Sequence, residues 1–122
     1  AAVGPVITSA VVAQMSERVN QVHVDTAILN YVATLSEESR RHPHVALGLS
    51  VRGGLAFIRC AKTWAISQGR PYVTPDDIRD LAQPVLGHRL LLGDEAQFTG
   101  VQVADIVGDL INDVSVPAYR GR

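Results

Sequence analysis

The segment from residue 50 to about residue 68 constrains the fold of this chain most, because it reads as a helix with apolar residues around most of its surface. Successive helical residues lie about 100° apart, and at that spacing the apolar side chains cover more than half of the circumference. These residues are Phe57, Ile58, Cys60, Ala61, Trp64 and Ala65. The narrow remaining sector carries Arg52, Arg59 and Thr63. Such a helix needs other helices around it, which predicts an all-α fold, a small helical bundle with this segment at its centre.

The residues after this central segment predict where it ends and where the next helix starts. Gly69 suits the position just beyond a helix, where glycine adopts a left-handed conformation at little cost. Residues 74–77 read Thr-Pro-Asp-Asp, which combines a hydroxyl cap, a proline at the first helical position and acids in the first turn. Pro84 is expected to end or kink this helix early, because proline lacks the N–H that continues a helix. The expected buried face consists of Ile78, Leu81, Ala82, Val85 and Leu86.

Three more helices complete a predicted bundle of about five. The first starts at Thr8 or Ser9 and runs to about residue 21, and the second starts after a cap at Asp25. The second ends before the His-Pro-His sequence at 42–44, since proline restricts the residue before it. The last runs from about residue 102 to 112, and the three leucines at 90–92 form a short extended or helical segment. The apolar faces are Val11, Met15, Val19 and Val22; Ile28, Tyr31, Val32 and Leu35; and Val103, Ile106, Val107, Leu110 and Val114.

Composition and charge exclude several classes of protein. With 122 residues, of which 47% are hydrophobic, the chain suits one packed domain and is too apolar for a disordered tail. The net charge is −1 and the longest basic block is Arg40-Arg41, so no electrostatic footprint for nucleic acid or an anionic membrane is present. No apolar run approaches the roughly 20 residues that span a bilayer. The single cysteine, Cys60, and the lack of a signal-peptide pattern predict a cytoplasmic protein.

Arg52 is the strongest candidate for a functional residue. It lies in the first turn of the central helix, where its guanidinium adds a fixed charge to a cluster of unpaired backbone N–H groups. Both features attract anions, and phosphate is the anion that helix N-termini bind most often. Exposed arginines are also common as solvated surface residues or as partners in structural ion pairs, so the position alone leaves these interpretations open.

The order of residues from Gly48 to Leu92 resembles the C-terminal lid subdomain of MoxR-type AAA+ ATPases, and the resemblance extends over residues 20–117. In that family a glycine, a small residue, a serine, a proline and an arginine open the helix that carries the sensor-2 arginine. Residues 48–52 of this chain read Gly-Leu-Ser-Val-Arg, so valine stands where the family usually has proline. Gly53 and Gly54 replace small helix formers, at a cost of about 1–2 kcal/mol in helix propensity, which predicts a first turn that is loose without ligand.

The resemblance implies a domain organisation and a set of site residues. Residues 1–20 are then a linker and first helix after an absent ATPase core, residues 21–117 the lid, and residues 118–122 a tail. Arg52 is then the sensor-2 residue, which reaches the γ-phosphate of ATP held by the core. Ser50, Gly53 and Arg59 are then candidates for residues close to the nucleotide. Arg59 lies two turns beyond Arg52 on the same polar strip, and a solvated surface position explains it equally well.

For the parent protein, the resemblance implies binding of ATP with Mg²⁺, ATP hydrolysis, and assembly with neighbouring subunits into a hexameric ring. It also implies a chaperone-like role in maturing partner proteins, including proteins with von Willebrand factor A domains. This chain itself has no G-x-x-x-x-G-K-[ST] loop for phosphates and no strand ending in paired acids for Mg²⁺. It is therefore not expected to hydrolyse ATP, or to bind it tightly, on its own.

Other residue types that often carry chemistry have simpler explanations here. His42 and His44 flank a proline in H-x-H spacing, but no cysteine or acid cluster completes a zinc site, so no metal is expected. The paired carboxylates of Asp76 and Asp77 are explained by their position in a capping turn. Cys60 lies between apolar residues and is expected to be buried and inert.

Two further residues are expected to be structural. Trp64 is assigned to the core of the bundle, because it lies on the apolar face of the central helix. Arg89 belongs to a His88-Arg89 pair that matches a histidine–arginine pair of the family, and it is expected to tie the last helices together.

Two other functions are considered for this chain. A free-standing helical interaction module would carry Arg52 merely on its surface and would have no nucleotide role. A helix-turn-helix nucleic-acid binder also consists of short helices with tight turns, but the near-neutral charge and the apolar third helix leave no basic recognition face. A nucleotide-binding core encoded upstream in the same reading frame distinguishes the lid from the free-standing module.

Overall fold

The computed structural model describes residues 9–117, except the side chains of residues 9, 11, 12, 15 and 16. The described part contains six helices and two short strands. Their bounds are α1 Ser9–Gln21, α2 Thr26–Arg41, β1 Val45–Leu47, α3 Val51–Ser67, α4 Pro75–Leu86, β2 Leu91–Leu92, α5 Asp94–Phe98 and α6 Val103–Asp113. The predicted all-α bundle is confirmed, and the helix beyond the expected five is α5, which has only five residues. The side chains of Val11 and Met15, predicted on the first apolar face, lie outside the described residues.

The core of the bundle is built around α3, which contacts α1, α2 and α4, while α6 packs against α2 and α4. The largest buried side chain of α3 is Phe57, which is 0% exposed. The other buried residues of α3 are small, so the neighbouring helices approach its backbone closely. The stripe predicted for α2 is fully buried, as are the central apolar positions of α4 and α6. These residues are Ile28, Tyr31, Val32 and Leu35; Ile78, Ala82 and Leu86; and Ile106, Val107 and Leu110.

The end of α3 follows the sequence prediction closely. Gly69 has a φ of 74°, the left-handed conformation that glycine adopts without a Cβ penalty. Its N–H donates to the carbonyl of Ile66 at 2.8 Å, and the N–H of Arg70 donates to the carbonyl of Ala65 at 2.9 Å. These two bonds satisfy carbonyls that the helix end leaves free, in the pattern of a Schellman motif.

The start of α4 is the predicted capping box, and it carries an ion pair that the sequence did not indicate. The Thr74 hydroxyl accepts from the N–H of Asp77 at 3.2 Å, and the Asp77 carboxylate accepts from the N–H of Thr74 at 2.8 Å. The Arg70 guanidinium donates to both carboxylate oxygens of Asp77, at 2.6 and 2.7 Å. The loop between α3 and α4 is therefore closed by a bidentate ion pair as well as by a cap.

The helix α4 does not end at Pro84, where an early end or a kink was predicted. It continues to Leu86, and the N–H of Gly87 still donates to the carbonyl of Gln83 at 2.9 Å. Pro84 lies in the last turn, where its missing N–H removes only one helical bond. Leu86, which is 0% exposed, keeps this last turn anchored in the core.

The three leucines at 90–92 form an extended segment rather than a helical one. Its strand β2 pairs antiparallel with β1, with Val45 opposite Leu92 and Leu47 opposite Leu91. Leu92 faces the core, whereas Leu47 and Leu91 face outward and are more than half exposed. The strand β1 lies directly before the turn that starts α3.

Among the described residues, no helix is both long enough and apolar enough to cross a membrane.

Candidate functional site

The first turn of α3 holds an exposed cation above free backbone donors, as the sequence predicted. Ser50 caps the helix, and its hydroxyl accepts from the N–H of Gly53 at 3.0 Å. The N–H groups of Val51 and Arg52 have no acceptor in the described part of the chain. The side chain of Arg52 is exposed and forms no ion pair with a described residue. This arrangement can bind an anion, because an exposed guanidinium and a helix N-terminus both attract negative charge.

The turn before this helix is fastened to the end of α2 through the backbone of Leu49. The N–H of Leu49 donates to the Ser39 hydroxyl at 2.9 Å. The carbonyl of Leu49 accepts from the guanidinium of Arg40 at 2.6 Å. Gly48 lies so close to α2 that a Cβ on it would be 2.7 Å from the backbone nitrogen of Arg40, so only glycine fits there.

Gly53 and Gly54, which were expected to leave this turn loose without ligand, fit closely against their neighbours in the described structure. Both glycines are buried. A Cβ on Gly53 would be 2.5 Å from the Cδ1 atom of Leu49, which is itself 0% exposed, and a Cβ on Gly54 would face the Ser36 hydroxyl at 3.5 Å. The two glycines lower the helix propensity of this turn, but their lack of a side chain allows a close fit against Leu49 and α2.

The outward half of α3 carries apolar residues on both sides of the predicted arginine strip. On the side of α2, Val51 is 77% and Leu55 63% exposed, and they border a groove of about 200 Å³ between α2 and α3. On the side of α4, Cys60 and Trp64 border a second, shallow groove together with Arg59. Arg59 is exposed and lies two turns beyond Arg52, as expected.

The burial predicted for Cys60 and Trp64 was therefore wrong. Cys60 is exposed, and 38% of Trp64 is exposed. Both lie outside the sector of α3 that α1, α2 and α4 cover, which contains Phe57, Ala61 and Ala65. The helix is apolar around most of its surface, but this part of the fold supplies neighbours for only one side of it.

The position of Arg89 does not fit the structural role that was expected for it. Its side chain is exposed and forms no ion pair or hydrogen bond with a described residue, so it does not tie the last helices together. The arginine that does join two helices is Arg70, which sequence reasoning missed. The only signal for it was a basic residue directly after the glycine that ends α3, seven residues before a capping aspartate.

The buried ion pair changes the titration of its carboxylate. Asp77 is 3% exposed in its side chain, and burial by itself raises the pKa of a carboxyl group. The hydrogen bonds from Arg70 and Thr74, together with the positive charge of Arg70, outweigh burial and hold the pKa of Asp77 below its ordinary value. Asp77 therefore stabilises the loop in its charged form, and Asp76 is an exposed first-turn acid.

The two histidines at the end of α2 have partners within the chain. The Nε2 atom of His42 lies 3.3 Å from a carboxylate oxygen of Asp109 on α6, and its Nδ1 atom accepts from the N–H of His44 at 3.2 Å. In the part of the chain that the structure describes, no three histidine, cysteine or acidic residues come together in a way that would hold a metal ion.

A family model and several curated proteins are similar to this chain. Residues 37–110 match the AAA lid domain family. Over 116 residues, or 95% of its length, the chain is 38% identical to the uncharacterized protein YeaC of Bacillus subtilis. It is 33% identical over 73 residues to the chaperone MoxR1 of Mycobacterium tuberculosis, and 31% identical over 83 residues to protein MoxR of Paracoccus denitrificans.

A solved structure shares the fold. The crystal structure of a candidate ATPase from Cytophaga hutchinsonii superposes with a TM-score of 0.81 over 88% of this chain, at 24% sequence identity. These two matches cover most of this chain but only about a third of the other protein, 36% of YeaC and 35% of the Cytophaga protein. It spans 19% of MoxR1 and 24% of the Paracoccus protein.

Proposed function

Because the chain belongs to the AAA lid domain family, as a lid of the MoxR type, we propose that it closes over ATP held by a core domain of its parent protein. In this proposal Arg52 is the sensor-2 residue, which contacts the γ-phosphate when the lid is closed. The parent protein binds ATP with Mg²⁺, and the lid itself supplies no ligand to the metal. Closure of the lid couples the presence of the γ-phosphate to the angle between lid and core.

The observation that carries this proposal is the position of Arg52. It is an exposed arginine at a helix N-terminus, next to two backbone N–H groups without an acceptor among the described residues. A guanidinium presents several donors in a plane and matches a phosphate group in a way that a lysine does not. Since no described residue pairs with it, its charge is available to a ligand on another domain.

The neighbouring residues contribute in different ways. The Ser50 oxygen is occupied by the N–H of Gly53, but its hydroxyl proton can still be donated to a phosphate oxygen. Gly53 contributes close backbone approach rather than a donor, because its N–H is already used. Arg59 extends the positive strip away from the first turn and acts at longer range.

The exposed apolar side chains of α3 support the presence of a covering domain. Val51 and Leu55 lie on one side of Arg52 and Trp64 lies further along the helix, and all three are substantially exposed. Exposed apolar residues next to a functional cation are typical of a surface that another domain covers. A core domain that brings ATP to Arg52 would also exclude water from this face and so strengthen the electrostatic contact.

For the parent protein we propose a cytoplasmic ATPase that assembles into a hexameric ring and acts as a chaperone in maturing partner proteins. The similarity to the chaperone MoxR1 supports this role. Proteins with von Willebrand factor A domains are the partners that the family resemblance suggests. The free-standing interaction module is the second candidate, and the exposed apolar half of α3 is the observation in its favour.

The test of the proposed function is Arg52→Ala in the intact parent protein. ATP hydrolysis should fall by about 100-fold or more, which is the usual effect of removing a charged donor aimed at a transferred phosphoryl group. Arg52→Lys should restore only part of the rate, because it keeps the charge but loses the planar fork. Arg59→Ala should cause a smaller loss.

The matched control is Arg79→Ala, which removes an exposed arginine from α4, outside the first turn of α3. It should leave the rate unchanged. If Arg52→Ala hydrolyses ATP at the wild-type rate, the sensor-2 role is refuted and the interaction module becomes the better explanation of the exposed α3 face.

A further inference from the structure

We propose that Ser39 and Arg40, at the C-terminal end of α2, are positioning residues that hold Arg52 at the correct place for the phosphate. This inference rests on the proposed function of Arg52 and concerns the part of the lid that aims it. Ser39 and Arg40 lie more than ten residues before Arg52 in the sequence, and neither belongs to the family pattern that identified the site.

The two residues fix both backbone polar groups of one residue in the turn before α3. The Ser39 hydroxyl accepts from the N–H of Leu49 at 2.9 Å, and the Arg40 guanidinium donates to the carbonyl of Leu49 at 2.6 Å. The side chain of Leu49 is 0% exposed and lies against Gly53 in the first turn of α3. Leu49 is therefore held at its N–H, its carbonyl and its side chain, three residues before Arg52.

Each partner on α2 is itself held in place. Ser39 is 0% exposed, and its hydroxyl donates to the carbonyl of Ser36 at 2.7 Å while it accepts from Leu49. Arg40 lies beside Gly48, whose lack of a side chain lets the turn approach the α2 backbone. The turn and the end of α2 thus form one rigid unit, and Arg52 moves with α2 when the lid moves.

The choice of partner for Arg40 suggests that its role is geometric. A guanidinium on a helix surface commonly pairs with an acid, as the neighbouring Arg41 does with Glu38 at 3.6 Å. Arg40 instead donates to the neutral carbonyl of Leu49. This short, charge-assisted hydrogen bond fixes the orientation of that carbonyl. Since displacing a catalytic group by about 1 Å can cost about 100-fold in rate, a fixed turn has a functional value beyond stability.

The experiment is a double-mutant cycle in the intact parent protein, with ATP hydrolysis as the readout. Arg40→Met should lower kcat by about 10- to 100-fold while changing the KM for ATP little, because the nucleotide is held mainly by the core. In an Arg52→Ala background the same change should lower kcat less than about twofold, since the residue that it positions is already absent. Ser39→Ala should show the same pattern with a smaller loss.

Two variants serve as controls. Arg41→Met removes the adjacent cation, which pairs only on the surface, and should leave kcat unchanged. Arg40→Lys keeps one donor for the Leu49 carbonyl and should restore part of the rate. If Arg40→Met fails to fold, as judged from its thermal melting, Ser39→Ala takes its place in the cycle, because it removes the other hydrogen bond to Leu49.

The outcomes separate this inference from the function on which it rests. A wild-type rate for Arg52→Ala refutes the proposed function and the positioning role with it. If Arg52→Ala is impaired but Arg40 variants hydrolyse ATP normally, only the positioning role is refuted. Equal losses from the Arg40 change with and without Arg52 would also refute it, since Arg40 would then act independently.

Discussion

The loop between α3 and α4 should owe much of its stability to the ion pair between Arg70 and Asp77, and Arg70→Met tests this. The substitution removes both guanidinium hydrogen bonds to the Asp77 carboxylate, at 2.6 and 2.7 Å, and the one to the Tyr72 carbonyl at 3.1 Å, but it leaves the Thr74 cap on the carboxylate. The aspartate then remains as a negative charge in a site where its side chain is only 3% exposed. Such a charge is costly when its partner is removed.

The expected magnitude follows from the burial of the two partners. Removing one member of a buried ion pair costs about 3–5 kcal/mol. The side chain of Arg70 is 26% exposed, so water can enter and partly solvate the abandoned carboxylate. The expected loss in the free energy of unfolding is therefore about 2–3 kcal/mol, which should lower the Tm of a domain of this size by about 8–12 °C.

The pH dependence provides the second part of the test. The pKa of Asp77 is lower in the folded chain than its ordinary value, so the carboxylate stabilises the fold above the unfolded pKa of about 3.9. That stability is lost as the pH falls from there through the folded pKa. The difference between wild type and Arg70→Met should thus be full near neutral pH and should shrink in acid.

Urea unfolding followed by far-UV circular dichroism, from about pH 7 to about pH 3, measures both effects. The matched control is Arg41→Met, because Arg41 pairs with Glu38 on the surface with side chains 73% and 42% exposed. It should change stability by less than about 0.5 kcal/mol. A loss below about 1 kcal/mol for Arg70→Met, or one that stays constant in acid, contradicts the assigned role of the pair.

Two further measurements address the core and the exposed face of α3. Tyr31→Phe should raise the free energy of unfolding by about 1 kcal/mol, because the buried hydroxyl has no hydrogen-bond partner among the described residues; a destabilised variant would reveal a partner. Trp64 fluorescence should be quenched by acrylamide in the native chain, since the side chain is 38% exposed, and full protection would contradict the described exposure. Trp64→Ala should accordingly cost less than Phe57→Ala, which should cost about 3–5 kcal/mol in urea unfolding because Phe57 is 0% exposed.

The sequence predicted the bounds of the helices well, because the signals that start and stop a helix are local. Ser50 and Thr74 cap helices with their own hydroxyls, and Gly69 ends one in a left-handed conformation. The apolar stripe of α2 was predicted equally well, since residues three and four apart lie on one face of any helix. The position of Arg52 in an exposed first turn follows from the same local rules, whereas its sensor role remains a proposal.

The pairing of strands was beyond local reasoning. Residues 90–92 were open to either an extended or a helical interpretation, and they became a strand because residues 45–47 lie next to them. At Pro84 the local signal indicated an early end or a kink, but the helix continues to Leu86. Burial of Leu86 keeps the last turn of α4 in place despite the missing N–H.

The sequence by itself thus determined where the helices lie and where the candidate arginine is displayed. Only the tertiary structure decided which side of α3 is covered, and it left Cys60 and Trp64 outside the covered sector. It also decided that Arg40 lies against the carbonyl of Leu49 and that Arg70 pairs with Asp77. The physical reason is that caps and periodicity depend on neighbouring residues along the chain. Burial and ion pairing depend instead on which helices pack together, and a helix that is apolar on many sides does not specify which of its sides they will cover.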